Sequence, residues 1–478
     1  MKRWFLGAWF FVGLGVLSAL LAPVSHAADI TDVADSFDYD NKNVFDFRFR
    51  VSYEFMSTSA VIGRERVLQP QEQFFEYFPE LRVTHIRHTM NMRAAIGIYK
   101  DLELNLTLPL ILSETFYSSL TPEAQRDGST LRQEGIVSAD DIERRRTTIL
   151  GDMKLGLQWG ILNDSRDPYS ATWVIGMTWT MPTGWVWNPN DPNTLPNGGG
   201  VGRGAHVLTW HIALSKRMSV FEPYVKIWYS LFITDPFFRQ QSVDQEWLQA
   251  QQGIQQSYAA AAQQAAQEAE ALTGDRKIAK QQESQLFQQR AEQKSRFINN
   301  ATENGLAPSH QAGFVMGTEI ILWERPSRQQ KIVLDFRFTG QAQFEGRGFT
   351  IFTDIIADYK PRQTINGPPN DLNGREVPTR ASAIMDHEHY FTMMFQPAVH
   401  FHLGKYGFLR LEGMFGTTLP FFLSYAKRGV DNNGNGFVDL NTDEVYPFHT
   451  RELDGIGKRV QQRDTFTWAL QFYAGIQF

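Results

Sequence analysis

One loop near the C-terminus carries oxygen ligands at the spacing of a calcium site. The run Asp431-Asn432-Asn433-Gly434-Asn435-Gly436-Phe437-Val438-Asp439 places oxygen donors at its first, third, fifth and ninth positions and a glycine at the sixth. Calcium loops need this spacing because a tight turn must bring carboxylate and amide oxygens onto one hard cation. The twelfth position is Thr442, where a bidentate glutamate is usual. The sequence predicts Ca²⁺ binding by Asp431, Asn433, Asn435 and Asp439, with a simple Asn/Gly-rich turn as the alternative.

Histidines are the other candidates for chemistry. His400 and His402 are two residues apart, so in a strand they share a face, where they would hold a metal or serve as polar lining. His88 lies among apolar residues, and no serine partner for nucleophilic catalysis is evident. The chain of 478 residues has no cysteine, which excludes disulfides, thiolate metal sites and cysteine nucleophiles. We therefore expect a protein that is not an enzyme.

Most of the charged residues that could form a site lie in segments where polar and apolar residues alternate. In the first such segment the apolar set is Phe45, Phe47, Phe49, Val51, Tyr53 and Phe55, and the polar set is Asp46, Arg48, Arg50, Ser52 and Glu54. Alternation with period two puts the two sets on opposite faces of a β-strand. In a membrane barrel the apolar face contacts lipid and the charged face lines the lumen.

Twelve segments repeat this pattern, each long enough for the 9–11 residues of a tilted membrane strand. They span 44–58, 80–99, 101–115, 146–162, 168–183, 204–217, 219–234, 310–325, 329–345, 386–404, 405–421 and 463–478. Short links follow every second strand, at Lys100, Asn163–Ser170, Lys216–Met218, Glu324–Arg328 and Gly404–Tyr406, and long links follow the others. Short turns at one end and long loops at the other are typical of bacterial outer-membrane barrels. The sequence therefore predicts an all-β, twelve-stranded antiparallel transmembrane β-barrel over residues 44–478, located in the outer membrane.

The N-terminus predicts export. Lys2 and Arg3 precede an apolar run, and Ser25-His26-Ala27 supplies the small residues of a cleavage site before Ala28, so residues 1–27 read as a signal peptide. Residues 28–43 are then expected to be a periplasmic segment. The mature chain has 44 basic and 52 acidic side chains, a net charge near −8. This acidic balance excludes a generally basic nucleic-acid binder.

Two long loops differ from the rest. Gln, Ala and Glu dominate residues 240–300, and Thr273-Gly274-Asp275 interrupts the run. These strong helix formers predict an extracellular α-helical hairpin within 235–310. It would be an interaction arm, a lid over the pore, or a solvated hairpin with neither role. Residues 421–462, which contain the candidate calcium loop, are expected to be a second long extracellular loop.

The inward faces of the predicted strands carry acids and bases in equal number, which argues against a filter for ions of one sign. Twelve strands fall between a barrel filled by its own side chains and an open channel, so long side chains are expected to narrow the passage. They would form either a substrate pathway or a solvated ion-pair network. The candidate lumen-lining residues are Asp46, Arg48, Arg50, Glu54, Arg87, Arg93, Glu103, Lys154, Lys226, Asp335, Arg337, His400, His402, Arg410 and Glu412.

Three short motifs resemble one known family. Gly97-Ile98-Tyr99-Lys100-Asp101-Leu102-Glu103-Leu104, Gly151-Asp152-Met153-Lys154-Leu155-Gly156-Leu157 and Met181-Pro182-Thr183-Gly184 are similar, in order and spacing, to turn and strand-end motifs of the MetA-pathway of phenol degradation family of outer-membrane proteins. The likeness covers residues 80 to 235. The insertion at 235–310 and the loop at 421–462 depart from the family pattern.

The resemblance implies a transport channel, with hydrophobic or aromatic compounds among the expected solutes. Its expected partners are outer-membrane lipid, lipopolysaccharide, the barrel-assembly machinery and a small-molecule solute, with no nucleic acid. Two alternatives stay open. One is a closed barrel that only displays its loops for interaction, and the less favoured one is an outer-membrane enzyme.

Overall fold

The computed structural model describes residues 28–34, 46–69, 74–137, 141–164, 167, 169–184, 202, 204–234, 245–303, 306–356, 362–365, 375–378, 384–404, 407–425, 429, 431, 434–438, 449 and 451–477. The predicted signal peptide lies outside these residues. So do most of the predicted segment 28–43 and much of the loop 421–462.

Twelve antiparallel strands form a closed barrel. Each strand pairs with the next in chain order, and the first pairs with the last, where Arg48 lies opposite Gln477. This confirms the predicted architecture. The strands are β1 (Phe47–Gln69), β2 (Phe74–Tyr99), β3 (Leu102–Leu120), β4 (Lys154–Leu162), β5 (Thr172–Thr180), β6 (Ala205–Ser215), β7 (Phe221–Thr234), β8 (Gln311–Arg325), β9 (Gln330–Gln343), β10 (Tyr390–Leu403), β11 (Gly407–Thr418) and β12 (Val460–Gln477).

The period-two alternation gives the barrel an apolar outer surface. In β12 the side chains of Phe466, Trp468, Leu470 and Phe472 are 40–50% exposed. Gln471 lies between two of them and is in register with Glu54 and Glu412 on the neighbouring strands. Exposed Leu, Ile, Met, Phe and Trp side chains continue around the other strands. A closed barrel with this apolar surface is an outer-membrane barrel, because lipid takes the place of water outside it.

Tight turns join the strands at one end of the barrel. Lys100, Ser219 and Gln329 have positive φ angles of 45°, 60° and 51° in three of these turns. Such conformations reverse the chain within a few residues. This end is called the short-turn end here, and the opposite end the long-loop end. In outer-membrane barrels the short turns face the periplasm.

The predicted strand 146–162 is broken in the structure. Residues Asp141–Leu150 form one strand and β4 begins at Lys154, and both pair with β3. The break faces Pro109 of β3, whose carbonyl accepts the Gly151 N–H at 2.9 Å. Proline has no N–H to offer to the ladder, which explains why regular pairing stops there.

The two family-like motifs after this break contact each other. Asp152 Oδ1 accepts the N–H of Gly184 at 2.9 Å, and the Thr183 hydroxyl accepts the N–H of Met153 at 2.9 Å. A Cβ on Gly184 would lie 2.9 Å from Asp152 Oδ1 and 3.0 Å from Gly151 C. Glycine is therefore required at residue 184 for this close approach, which ties the β4 and β5 ends together at the long-loop end.

The long-loop end is covered by a cap with its own apolar core. Strands β1 to β3 extend beyond the predicted 58, 80 and 115, and their ends pack with loop segments. The cap includes short helices α1 (Pro122–Asp127), α2 (Thr130–Gln133), α5 (Thr353–Ile356) and α6 (Arg451–Asp454), and strands Gly346–Gly348, Met385–His387 and Phe421–Ser424. Strands Arg362–Ile365 and Arg375–Pro378 pair with each other in a separate two-stranded sheet. Ile62, Phe116, Leu131, Phe352 and Leu453 are among the fully buried core residues of the cap.

Two of the cap strands fall within segments that were predicted to be continuous. Asp386 and His387 were expected to belong to the tenth barrel strand, and Phe421 to the eleventh. The chain instead leaves the barrel there and joins a sheet that extends from β12. The predicted end at residue 421 is wrong because Phe421 and Leu423, which bury in the cap, continue the alternating pattern of the membrane strand. The predicted end at residue 386 is wrong because Asp386 and His387 pair with other cap strands.

The loop between β7 and β8 contains the predicted helical hairpin. Its helices are α3 (Gln245–Glu270) and α4 (Asp275–Glu303), joined by a turn in which Gly274 has a φ of +65°. Ile254 and Tyr258 pack against Phe287 between the helices. None of the helices in the described part of the chain is long and apolar enough to cross a membrane.

The orientation of β12 can be tested with one charge. We expect Phe472→Arg to reduce the free energy of unfolding from lipid vesicles by about 2–4 kcal/mol, because it places a guanidinium in hydrocarbon. Denaturant titration followed by tryptophan fluorescence measures this change. The matched control is Gln471→Arg, which adds the same charge toward Glu54 and Glu412 and is expected to cost less than about 1 kcal/mol. Equal losses would contradict the assignment of the two faces.

Candidate functional site

The N-terminal segment lies inside the barrel. Residues Ala28–Ala34, called the plug here, are buried or half-buried. Ala34 N–H donates to Glu103 Oε2 at 2.8 Å, and the Thr31 hydroxyl lies 2.7 Å from that of Ser215. We expected 28–43 to be in the periplasm, so the described part of this segment lies elsewhere. Polar side chains that face inward from the barrel wall bond to the backbone of the plug. Its buried N–H groups therefore have hydrogen-bond partners without water.

Two aspartates attach the plug to wall arginines. Asp29 accepts hydrogen bonds from Arg50 at 3.1 Å and Arg410 at 2.7 Å, and Asp32 accepts two from Arg48 at 2.8 and 3.1 Å. Arg48 and Arg410 are almost fully buried. A buried guanidinium is costly without a counter-ion. The plug carboxylates therefore neutralise charges of the wall, and the wall in turn fixes the plug.

A second ion cluster lies beside the plug, around Asp335 of β9. Its fully buried carboxylate accepts from Tyr224 at 2.5 Å and from Arg337 at 2.9 Å. Arg410 and His400 lie 3.6 Å from the same carboxylate. Arg410 also donates to Glu412, which connects the cluster to the plug through Asp29.

An inner cavity of about 160 Å³ lies against the plug. Glu103 at its wall accepts from Arg93 at 2.7 Å and from Asn105 at 2.9 Å. The charges around the cavity include more bases than acids, because Lys226 and four arginines face three carboxylates. The lining residues are Asp29, Ile30, Asp32, Arg48, Arg50, Arg93, Ala95, Glu103, Gln158, Lys226 and Arg337.

A larger outer cavity of about 520 Å³ lies toward the long-loop end. Glu114 accepts from His85 at 2.7 Å and from Arg146 at 3.3 Å, and Arg146 donates to Asp354 of α5 at 2.5 Å. Arg87 also lines this cavity. Since Asp354 comes from a cap segment, the cap folds inward over the lumen and is held there by buried ion pairs.

The rest of the outer cavity presents hydroxyl and amide groups together with aromatic rings. Tyr390 and Phe421 are stacked with centroids 4.2 Å apart. The polar groups include Thr58, Thr392, Thr418, Thr467, Gln341 and Gln343, and the other rings include Phe116, Phe232 and Phe349. This lining can hold an apolar or aromatic body and satisfy several hydrogen-bonding groups at once.

Most of the predicted lumen residues lie in these three regions. Six line the inner cavity, namely Arg48, Arg50, Arg93, Glu103, Lys226 and Arg337. Asp335, His400, Arg410 and Glu412 form the adjoining cluster, and Arg87 lines the outer cavity. Asp46 and Glu54 are half-buried, Lys154 is exposed, and His402 packs its ring edge-to-face on Phe408 at 5.3 Å.

The predicted metal ligands can be placed only in part. Asp431 accepts the N–H groups of Gly434 and Gly436 at 2.7 Å each, and Asn435 Oδ1 accepts that of Phe437 at 2.8 Å. Asn433 and Asp439 lie outside the described residues. Among the residues that the structure describes, no three His, Asp or Glu side chains are grouped to hold a metal, and this includes His400 and His402. Calcium binding by the loop stays a prediction.

Sequence reasoning missed several residues that matter most. Asp29 and Asp32 stand three apart directly after the predicted cleavage site, but nothing in that short run is periodic. Glu114 and Arg146 lie where strands continue above the membrane, and Asp354 belongs to a loop. Only the paired positions of Glu114 and Arg146 in alternating segments gave a signal that could have identified them.

The plug can be located by thiol chemistry because the chain has no cysteine. We expect Val33→Cys to react slowly with a membrane-impermeant maleimide, and about tenfold or more faster when Asp29→Ala and Asp32→Ala are added. The reason is that breaking buried ion pairs costs several kcal/mol, of order 3–5 for one pair. Asp127→Ala, which breaks an exposed pair with Arg126, is the control. Equal labelling rates in all three proteins would show that the aspartates do not hold the plug.

Comparisons with known proteins give distant structural likenesses. No family model and no curated protein matches the chain. The COG4313 outer membrane channel from Pseudomonas putida F1 is similar at 11% identity, with 93% of this chain and 99% of that chain covered and a TM-score of 0.37. The outer membrane protease OmpT from Escherichia coli is similar at 5% identity (91% and 97% covered, TM-score 0.28), and a TodX monoaromatic hydrocarbon channel mutant at 7% (95% and 92%, TM-score 0.26). Likenesses at this level carry no argument about function, which rests on the lumen itself.

Proposed function

We propose that the protein is an outer-membrane channel for small solutes, with the lumen as the path and the plug as its constriction. The observation that carries this proposal is the barrel interior, which holds two cavities lined with polar and charged groups. A barrel that serves only to display its loops can fill its interior with its own side chains, as small barrels do.

The outer cavity favours solutes that combine a small apolar or aromatic body with hydrogen-bonding groups. Aromatic rings such as Tyr390 and Phe421 offer flat apolar contact, while threonine hydroxyls and glutamine amides replace the water that a polar substituent loses. A purely hydrocarbon solute would leave these polar groups without partners, which is costly. This class fits the aromatic compounds that the sequence resemblance implies.

Passage through the inner cavity requires the plug to move, because Asp29, Ile30 and Asp32 form part of the lining of that cavity. The plug is held by ion pairs to Arg48, Arg50 and Arg410 and by backbone hydrogen bonds to Glu103 and Glu319. These contacts are non-covalent, and Arg50 and Asp32 remain partly exposed to the lumen. Water can therefore replace them one at a time, so that the plug opens without unfolding the barrel.

The charged walls then govern which solutes pass. Bases outnumber acids around the inner cavity, and each plug aspartate that leaves exposes further guanidinium groups. An opened plug thus makes the periplasmic half of the lumen more cationic than the balanced sequence inventory suggests. We expect neutral and anionic solutes to be favoured over cations of the same size.

Flux into liposomes tests this function. We expect arabinose to enter liposomes that contain the refolded mature protein, and raffinose to be excluded because a twelve-stranded lumen is narrow. The Asp29→Ala, Asp32→Ala protein should pass arabinose severalfold faster, whereas Asp127→Ala should match the wild type. Light scattering after osmotic dilution measures these rates.

The display alternative predicts a different pattern. If heat-modifiable, correctly folded protein passes no arabinose in either form, the channel proposal is wrong and the barrel serves another role. Deleting 240–300 provides a second comparison. A channel should still pass arabinose without the helical hairpin, whereas a display barrel should pass none with or without it.

A further inference from the structure

Two buried carboxylates near the plug lack a side-chain counter-ion. Glu222 of β7 and Glu319 of β8 are in register on neighbouring strands and are 0% and 1% exposed. Neither carboxylate oxygen of Glu222 has a hydrogen-bond partner among the described residues. Burial of an ionised carboxylate without a partner is strongly unfavourable. Such a pair is stable only when it is protonated or when a cation lies close to it.

Among the described residues, none of the charged groups around the pair forms an ion pair with it within 4 Å. They are Lys331, Arg217, His400, Asp29, Asp164 and Asp335. Arg217 is paired with Glu324 at 2.6 Å, and His400 lies 3.6 Å from Asp335. In the described part of the chain, Lys331 makes no ion pair within 4 Å of either carboxylate. Lys331, Arg217 and His400 therefore act on the pair only from beyond ion-pair distance.

The start of the plug lies directly against this pair. Asp29 N–H donates to Glu319 Oε1 at 2.9 Å, and Ala28 is fully buried. The Ala28 carbonyl accepts from Thr31 N at 2.8 Å, which fixes the first residues as a turn. Ala28 N is one residue before the N–H that binds Glu319, and Glu222 is the cross-strand neighbour of Glu319, with facing Cβ atoms about 5 Å apart. An ammonium at Ala28 would therefore lie near both carboxylates.

We propose that the α-ammonium group of Ala28, created by signal-peptide removal, is the counter-ion of Glu222 and Glu319 and locks the plug in the lumen. A signal peptidase would hydrolyse the bond between Ala27 C and Ala28 N. Water supplies the oxygen of the new Ala27 carboxylate, and the released Ala28 amine takes up a proton to become the ammonium. The precursor has an uncharged amide nitrogen at the same place and cannot form this ion pair.

The consequence is a constriction that only the processed chain completes. Before cleavage the pair Glu222 and Glu319 has no cation, and the plug loses one of its attachments. After cleavage a compact, strongly hydrogen-bonding cation is placed where the wall is acidic. The inference depends on cleavage before Ala28, which the intact mass of protein purified from outer membranes checks separately, and it does not depend on solute transport.

The test compares refolded chains that begin at Ala28 with chains extended by Gly-Ser-Gly, which moves the ammonium away. Val33→Cys reports the position of the plug through its maleimide labelling rate. We expect the extension to raise the rate about tenfold, because it breaks a buried ion pair. In a Glu222→Gln background the extension should have a smaller effect, about threefold, since one of the two carboxylates that bind the ammonium is already gone.

Glu114→Gln is the matched control, because it removes another buried lumen acid, which pairs with His85 and Arg146 and not with the plug. The extension should keep its tenfold effect there. The proposal would be overturned if the extension did not change the labelling rate of Val33→Cys in the otherwise unchanged protein. An equal effect with and without Glu222 would also overturn it, because it would show that the added residues displace the plug by their bulk. Heat-modifiability on gels confirms that each variant is folded.

Discussion

The attraction between the plug carboxylates and the wall arginines holds the plug inside the lumen. Asp29 lies between Arg50 and Arg410, which come from opposite ends of the sequence. In a narrow lumen, charges on facing walls either repel one another or bind groups between them, and water screens them less than it does at a surface. The plug supplies the groups that bind, so the cationic wall and the acidic N-terminal segment stabilise each other.

The barrel makes this arrangement possible through its register. Closure between β1 and β12 places Arg48 and Arg50 of the first strand near the last strands, and β11 then brings Arg410 to the same level. A shift of one residue in either pairing would turn these arginines toward lipid. The long-loop end uses a different principle, since its cap is a soluble-type apolar core fixed to the barrel by the ion pairs of Arg146.

The architecture could be predicted from sequence because lipid and lumen impose the same period on every strand. Phe466 to Phe472 and Phe45 to Phe55 show it without any tertiary information. Strand ends at the short turns were predicted closely, whereas at the long-loop end those of β1 to β4 and β10 to β12 were not. Outside the membrane the alternation continues because residues such as Ile62 and Phe116 bury in the apolar core of the cap, so the pattern does not mark where the membrane ends.

Only the wall residues of the site could be predicted from the sequence. Wall residues such as Arg48, Asp335 and Arg410 follow from the polar face of a strand, but their partners do not. Asp29 and Asp32 belong to a short aperiodic segment, and nothing local indicates that it turns back into the barrel. Equal numbers of acids and bases along the strands suggested an internally paired wall, whereas the plug provides part of the pairing.

Single-channel recording in a planar bilayer tests most directly whether the plug constricts an otherwise open lumen. The account predicts small steps from the mature protein, with brief transitions to a larger level, and only the larger level from a chain that lacks 28–34. Equal conductance of the mature protein and the chain that lacks 28–34 would contradict the account. So would the absence of any channel opening in both proteins when both are folded.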